Sequence, residues 1–233
     1  MNSEALQCAQ CALRNDCPKT LLERQMPAPA EPLPARGRSW RRGSLLARQG
    51  QRLQAFQFVK CGLLALRQLG PDGAERCVGA VGRGHLLGLQ GFYGLPTGLT
   101  IQALGSVAVC EIPHALLQRA LALRPDAYEL LMRYNYRALE ALAGWGLIMR
   151  MPKLGQRMAA ALSLLAQAQP PGQIELPNQS QMAELLGVTR ESINRAYRAF
   201  EAAGALRRDG RGRAELDLPR LRHLLRRPPP GLA

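Results

Sequence analysis

The spacing of glycine divides this chain into two parts with different folds. Glycine recurs every two to twelve residues between positions 37 and 105, with short apolar stretches such as AFQFVKCG and SVAVCEI in between. Strand-length apolar runs that end in turn residues predict an antiparallel β-sandwich or barrel for residues 37–114. The stretch GPDGAE at 70–75 predicts a hairpin turn within it.

The apolar period lengthens after the glycine-rich part. Apolar residues then recur three or four apart, at Leu131, Tyr134, Ala138, Leu142, Trp145 and Met149. This stripe predicts a long helix in the region 115–151, which Pro152 ends or kinks, and a second helix at 154–168. The spacing is close to that of a coiled-coil seam, so the long helix either forms a dimer contact or packs on its own domain.

The stretch PNQSQMAELLGVTRESINRAYRAFEAAGAL, residues 177–206, has the pattern of two helices joined by a tight turn. Asn178 or Ser180 can cap the first helix, Gly187 supplies the turn, and Thr189 caps the second helix. The apolar inner face consists of Ala183, Leu186, Val188, Ile193, Tyr197 and Phe200. This layout predicts a helix-turn-helix, in which the second helix enters the DNA major groove.

Side chains suited to base recognition lie at the start of that second helix. Arginine can bond guanine bidentately, glutamate can accept from the cytosine amino group, and asparagine can pair with adenine. The predicted base-reading residues are Arg190, Glu191, Asn194 and Arg195. The following stretch LRRDGRGRAEL predicts a basic β-hairpin wing on the phosphate backbone. The predicted phosphate contacts are Ser180, Thr189, Arg198, Arg208 and Arg211.

Charge supports a polyanionic partner. The net charge is +14, and residues 190–227 hold eleven arginines against five acidic residues. Such a balance is typical of proteins that bind nucleic acid. The alternative for this segment is a helical protein–protein module with a solvated charged face. An enzyme is less well supported, because the three histidines form no Ser-His-Asp or His-metal arrangement in the sequence.

The chain begins with a cluster of thiols, in the stretch CAQCALRNDC at residues 8–17. No signal-peptide pattern and no membrane span are evident, so we expect a cytoplasmic protein whose thiols stay reduced and bind a metal. Soft thiolates suit an iron–sulfur cluster, and four thiolates also suit structural zinc. Because the arm around Cys8, Cys11 and Cys17 is polar, we expect no core packing there. For Cys61 and Cys77 we expect simple core positions.

The motifs together resemble the CRP/FNR transcription regulators over nearly the whole chain. The likeness rests on QSQMAELLGVTRESINRAYRAFEAAGAL, preceded by a glycine-punctuated sandwich and a long helix. The VCEIP stretch at 109–113 and the spacing Cys8-x2-Cys11-x5-Cys17 are similar to the oxygen-sensing FNR branch. The resemblance implies a [4Fe–4S] cluster on Cys8, Cys11, Cys17 and Cys110. It also implies an α+β fold with a jelly-roll sensor domain like that of cyclic-nucleotide-binding relatives, a homodimer on DNA, and contact with RNA polymerase.

Two departures from relatives bear on ligand and site preference. The stretch that corresponds to the cyclic-nucleotide phosphate cassette has Gln90 and no Arg or Glu between positions 84 and 110, so a buried phosphate would be uncompensated and cAMP binding is not expected. The recognition helix has Glu191-x-x-Asn194-Arg195, whereas the FNR helix that it resembles has the pattern Glu-x-x-Ser-Arg. The preceding Arg190 makes this position more similar to the CRP helix. For haem, His85 and His114 are the candidate ligands, and we expect each to be solvated or hydrogen-bonded instead.

The sequence therefore predicts six segments and one mechanism. The segments are a cysteine arm (1–26), a proline-rich connector (27–36), a β-sandwich sensor (37–114), a dimerisation helix region (115–151), a winged helix-turn-helix (153–227) and a frayed tail (228–233). An intact cluster would tie the arm to the sandwich and favour a DNA-binding dimer. Oxygen would destroy the cluster, which would free the arm and weaken DNA binding.

Overall fold

Two four-stranded antiparallel sheets form the N-terminal half of the protein. The structure, a computed structural model, describes residues 11–25, 35–123, 128–229 and 231–232. The strands are β1 (Arg36–Trp40), β2 (Leu45–Ala47), β3 (Ala55–Cys61), β4 (Leu64–Leu69), β5 (Glu75–Val81), β6 (Leu86–Leu87), β7 (Thr100–Ala103) and β8 (Val107–Pro113). One sheet has the order β1-β8-β3-β6 and the other β2-β7-β4-β5. The predicted sandwich is confirmed, although β1 begins inside the stretch that we expected to be connector.

The hairpin between β4 and β5 forms where the sequence indicated a turn. Gly73 has a φ of +77°, in the left-handed region that favours glycine. The Asp72 carboxylate accepts a hydrogen bond from the Ala74 amide at 3.2 Å. This side-chain contact closes the turn locally, which is why the sequence alone located it.

The cysteine arm packs on the sandwich through apolar side chains. It contains a 3-10 turn (Arg14–Asp16) and the helix α1 (Pro18–Gln25). Leu13, Cys17 and Leu22 are buried in one cluster with Phe58 of β3. Our expectation of a polar arm with no core to fill is therefore wrong, because two leucines and a thiol on the arm remove apolar surface from water.

The short helix α2 (Leu89–Phe92) lies between β6 and β7. After the sandwich the chain is helical, with α3 (His114–Leu123) and the long α4 (Tyr128–Arg150). The Trp145 side chain on α4 is buried, and its indole Nε1 donates to the Ala80 carbonyl of β5 at 2.7 Å. This bond and the surrounding apolar contacts hold α4 against the sandwich.

The two faces of α4 differ from our expectation for the coiled-coil seam. Leu131, Tyr134 and Trp145 of the predicted stripe are buried against the protein's own core, whereas Met149 is 44% exposed and Ile148 is buried in its place. The stripe therefore packs on its own domain. A second apolar series is exposed on α4, at Tyr128, Met132, Tyr136, Leu139 and Leu147. Met132, Tyr136 and Leu139 of this series recur three or four residues apart and are exposed, so they are open to a helix–helix contact.

The C-terminal part packs helices on a small sheet. Its elements are α5 (Leu154–Gln167), β9 (Ile174–Glu175), α6 (Gln179–Leu186), α7 (Arg190–Ala202), β10 (Leu206–Arg208), β11 (Arg213–Leu216) and α8 (Leu218–Arg226). The sheet has the order β10-β11-β9. Ile193, Tyr197 and Phe200 of α7 are fully buried in the core that α5 and α6 share.

The end of the chain is packed instead of frayed. Leu232 is 5% exposed, and its carbonyl accepts a hydrogen bond from the Gly155 amide at 3.0 Å. Pro229 is also buried. Our expectation of a frayed tail is therefore wrong for the described residues of the tail, because they cover the first turn of α5.

Two further observations complete the fold. Cys61 is exposed where β3 ends, so our core assignment for it is wrong, whereas Cys77 is half-buried and packs on the core. Within the described parts of the chain, no helix combines the length and apolarity needed to cross a membrane.

Candidate nucleic-acid interface and cysteine site

Local hydrogen bonds fix both helices of the predicted helix-turn-helix. The Asn178 side chain accepts from the Gln181 amide at 2.9 Å, and the Gln181 side chain accepts from the Asn178 amide at 2.9 Å. Gly187 ends α6 with a φ of +62°. Thr189 then caps α7 by accepting from the Ser192 amide at 3.2 Å. The caps and the turn are confirmed, with Asn178 as the first cap.

The start of α7 presents the four predicted base-reading residues. Arg190, Glu191 and Arg195 are exposed, and Asn194 is half-buried. The Arg190 guanidinium donates to the Gln179 side chain at 3.1 Å, which orients it across α6. The backbone amide at the helix N-terminus and the Thr189 hydroxyl hold the pKa of Glu191 below its usual range. Glu191 is therefore a carboxylate acceptor at neutral pH.

A tight turn shapes the wing between β10 and β11. The Asp209 carboxylate accepts from the Arg211 amide at 2.7 Å and from the Arg213 amide at 3.0 Å. These two bonds lower the pKa of Asp209. Gly210 adopts a φ of +73°, as such a turn requires. The arginines beyond the turn are left exposed.

Arg208 has a different environment from the other predicted phosphate contacts. Its guanidinium donates to both carboxylate oxygens of Glu201 at 2.8 Å and lies 4.5 Å from the centre of the Tyr197 ring. This geometry anchors the wing to α7. By contrast, the remaining predicted contacts are exposed, at Ser180, Thr189, Arg198 and Arg211.

An open cleft of about 700 Å³ separates the wing from the helix-turn-helix. Ser180, Arg190 and Arg208 line it together with Gln179 and Arg213. The sequence analysis did not single out Gln179. Its position directly after the Asn178 cap, at the N-terminus of the first helix of the motif, is the signal that could have found it.

The cysteine site lies where the arm packs on the sandwich. Cys17 and Cys110 are 6% and 4% exposed, and both belong to one apolar cluster against which the half-buried Cys11 packs. β8 places Cys110 opposite Phe58 of β3 and Gly37 of β1. The arm thereby meets the sandwich where the fourth predicted ligand lies. Cys8 is outside the described residues.

The environment of Cys17 has opposing effects on its thiol. Burial raises the pKa of Cys17, whereas the backbone amides of Lys19 and Thr20, at the start of α1, lower it by hydrogen bonding. Amide donors of this kind stabilise a thiolate once a metal cation balances its charge. The Tyr134 hydroxyl of α4 donates to the carbonyl oxygen of Asp16, next to Cys17. Burial also raises the pKa of Tyr134, so the hydroxyl keeps its proton.

The donor chemistry fits a thiolate-bound group, and the described ligand set is incomplete. Among residues 11–25, 35–123, 128–229 and 231–232, no three His, Cys, Asp or Glu side chains are close enough to hold a metal ion. The described part of the chain supplies Cys11, Cys17 and Cys110 to one face of the sandwich.

The histidines have apolar surroundings. His114 is buried, with its ring centre 4.5 Å from that of Phe56, and its Nε2 has no hydrogen-bond partner among the described residues. His85 Nδ1 lies 3.1 Å from the Gly82 carbonyl oxygen. Burial lowers the pKa of both histidines. A hydrogen bond with the Gly88 backbone partly opposes this effect on the pKa of His114. Our expectation that each histidine is solvated or hydrogen-bonded therefore holds for both rings.

Two family models match successive parts of the chain. The cyclic nucleotide-binding domain model matches residues 37–123, and the Crp-like helix-turn-helix domain model matches residues 156–224. These segments correspond to the sandwich with α3 and to the C-terminal helices with the wing.

The chain is similar over most of its length to known transcription activators. The transcriptional activator protein FnrA of Stutzerimonas stutzeri is 27% identical over 210 residues, which cover 88% of this chain and 86% of that protein. The transcriptional activator protein Anr of Pseudomonas aeruginosa is 26% identical over 211 residues, with the same coverage of 88% and 86%. The structure of FixK2 from Bradyrhizobium japonicum has a TM-score of 0.70 at 20% identity and covers 82% of this chain and 96% of that one.

The sandwich and the winged helix-turn-helix thus correspond to the two family models, and the likeness to these relatives extends over most of the chain. The chain belongs to the CRP/FNR family, whose members are DNA-binding transcription regulators and not enzymes.

Proposed function

We propose that the protein is a transcription activator of the FNR type that reads a near-palindromic DNA site as a homodimer. The observation that carries this proposal is the exposed set Arg190, Glu191 and Arg195 on the first turns of a capped helix, beside a basic wing. Two such helices in a dimer would enter successive major grooves about 34–36 Å apart. Transcription activation would then require contact with RNA polymerase.

The interface residues divide into two roles in this proposal. Arg190, Glu191, Asn194 and Arg195 read base edges, with each bidentate arginine directed at guanine. Ser180, Thr189, Arg198 and Arg211 bind phosphates and set the position of α7. Arg208 holds the wing in place through Glu201, and any phosphate contact it makes is secondary to that bond.

Arg195→Ala tests the base-reading role. We expect it to weaken binding by roughly 1–3 kcal/mol to sites with guanine at one position of each half-site, and to relax the preference at that position. Affinities for single-base variants of a duplex selected from a random library measure this. Arg198→Ala is the matched control, and it should weaken binding to all DNA sequences equally. Equal loss across all sequences for Arg195→Ala would make Arg195 a phosphate contact.

The exposed apolar face of α4 supports the dimer. Met132, Tyr136 and Leu139 recur three or four apart on this face and are each about half exposed or more. Contiguous apolar residues at helical spacing mark a surface that another protein covers. We assign it to α4 of a second copy, because a homodimer gives two recognition helices for the two half-sites.

We also propose that the cysteine site senses oxygen through a [4Fe–4S] cluster on Cys8, Cys11, Cys17 and Cys110. The burial of Cys17 and Cys110 in one cluster with α4 supports this, and so do the names of the relatives FnrA and Anr. When bound, such a cluster would supply oxygen-labile iron–thiolate bonds. The chain's own part is to hold the arm: Leu13 and Leu22 bury it against Leu131, and Tyr134 bonds Asp16.

Cys110→Ser tests the ligand assignment. We expect DNA binding by the anaerobically purified variant to be weak and to change little on exposure to air, because one of four thiolates is missing. Cys61→Ser is the matched control, since Cys61 is exposed and lies outside the arm cluster. DNA binding by Cys110→Ser that still responds to oxygen would overturn the assignment. Zinc in place of iron in the purified wild type would indicate a structural zinc site instead of a cluster.

A further inference from the structure

The helix α5 begins without a residue that can cap it. Its N-cap residue is Lys153, whose side chain carries no oxygen, and the first turn, Leu154 to Arg157, contains no acidic residue. The first amides of a helix have no partner within the helix, and an N-cap side chain with an oxygen normally accepts from them. The start of α5 therefore needs an acceptor from elsewhere in the chain.

The tail, residues 228–233, supplies that acceptor. The Gly155 amide donates to the Leu232 carbonyl at 3.0 Å. A Cβ on the buried Gly155 would lie 2.5 Å from the Pro228 Cβ and 3.3 Å from the Leu232 Cβ. Because Gly155 lies within a helix, its backbone would accept any side chain. The packed tail is thus the reason that this position has room only for glycine.

The same turn of α5 holds the turn of the helix-turn-helix. The Arg157 guanidinium donates to the Leu186 carbonyl at 2.9 Å. Leu186 is the last residue of α6, and the last carbonyls of a helix have no partner within it. Gly187 and Val188 then lead to Thr189, the cap of the recognition helix α7. A chain of contacts therefore runs from the tail through the first turn of α5 to the start of α7.

We propose that the tail is a positioning segment for DNA recognition, which fixes the first turn of α5 so that Arg157 holds the start of α7. This inference rests on the proposed function. The described residues of the tail do not line the cleft between the wing and the helix-turn-helix, so their effect on DNA is indirect. Base contacts need an exactly placed helix, whereas phosphate contacts supply affinity for any sequence. The tail should therefore matter for specific binding and not for non-specific binding.

Gly155→Ala tests the proposal, because the added methyl group displaces the tail while alanine favours the helix itself. In protein purified without oxygen, we expect binding to a duplex selected from a random library to weaken about five- to tenfold. Binding to an unrelated duplex should stay unchanged, and amide exchange in residues 186–190 should speed up. Gly144→Ala on α4 is the matched control, since its methyl group would make an ordinary contact with Leu164 at 3.5 Å.

A double-mutant cycle tests whether the tail acts through Arg157. If it does, Gly155→Ala combined with Arg157→Ala should bind the selected duplex no more weakly than Arg157→Ala alone. Losses that add would overturn the proposal. So would a Gly155→Ala protein that binds like wild type, or one whose specific and non-specific binding fall in the same proportion. If wild type binds no duplex specifically, the proposed function fails, and the exchange in residues 186–190 then decides alone whether the tail positions the turn.

Discussion

The Tyr134 hydroxyl joins the cysteine arm to the long helix through a single atom. It donates to the Asp16 carbonyl, and the ring packs edge-on against Phe58 with ring centres 6.0 Å apart. Tyr134→Phe keeps the ring and removes the donor, leaving a carbonyl with one partner fewer. We expect the free energy of unfolding to fall by about 1 kcal/mol and amide exchange in residues 11–25 to speed up. Urea unfolding and hydrogen-exchange mass spectrometry measure the two effects.

Tyr136→Phe is the matched control for that substitution. Tyr136 lies on the exposed face of α4, 60% exposed, and its hydroxyl interacts with Glu140 at the surface. Its loss should leave exchange in the arm unchanged. If both variants exchange alike in residues 11–25, the Tyr134 contact does not hold the arm.

Elements of this fold were predictable where their signals are local. Asn178, Gly187 and Thr189 mark helix ends through bonds to residues three or four positions away, so the helix-turn-helix followed from sequence alone. Gly73 and Asp72 marked the β4–β5 hairpin in the same way. The candidate base-reading residues followed from their position on the second of these helices.

Elements that depend on distant partners were not predictable. The inner face of α4 is decided by β5, whose Ala80 carbonyl receives the Trp145 bond across 65 residues of sequence. The burial of Leu232 depends on Gly155, and that of Cys17 on the sandwich strands. Apolar periodicity predicts a helix with an apolar stripe. When a helix has apolar residues on two faces, its sequence does not show which face packs on its own domain.

The exposed apolar face of α4 can be tested by a single substitution. Leu139→Gln should weaken the dimer, because two fully buried leucines contribute roughly 3 kcal/mol or more together, a change of about 100-fold or more in the dissociation constant. Analytical ultracentrifugation measures it. Leu139 is 62% exposed in one chain, and Leu95→Gln on the sandwich, at 57%, is the matched control. A Leu139→Gln protein that dimerises like wild type would move the dimer contact away from this face.

An ion pair connects the β-sandwich to the DNA-binding part of the molecule. The Arg67 guanidinium of β4 donates to both carboxylate oxygens of Glu184 on α6, with Nη2 to Oε2 at 2.7 Å. The arginine side chain is 17% exposed and that of Glu184 34%. A bidentate, partly buried pair stabilises more than an exposed one.

A double-mutant cycle on this pair tests whether the two parts support each other. With Arg67→Ala, Glu184→Ala and the double variant, we expect a coupling free energy of about 1 kcal/mol in urea unfolding. The reversed pair Arg67→Glu with Glu184→Arg should recover part of the loss. The exposed Arg76–Asp72 pair within one hairpin is the control and should show no measurable coupling. Zero coupling between Arg67 and Glu184 would mean that the two parts behave independently.

The oxygen-sensing role proposed for the whole molecule requires a metal group on the cysteine arm. The most direct measurement is the visible absorption spectrum of protein purified without oxygen, with iron and sulfide assayed, before and after air is admitted. The account predicts a broad band near ~400 nm with about four iron and four sulfide per chain, which bleaches in air. A colourless protein that carries zinc or no metal would contradict the oxygen sensor.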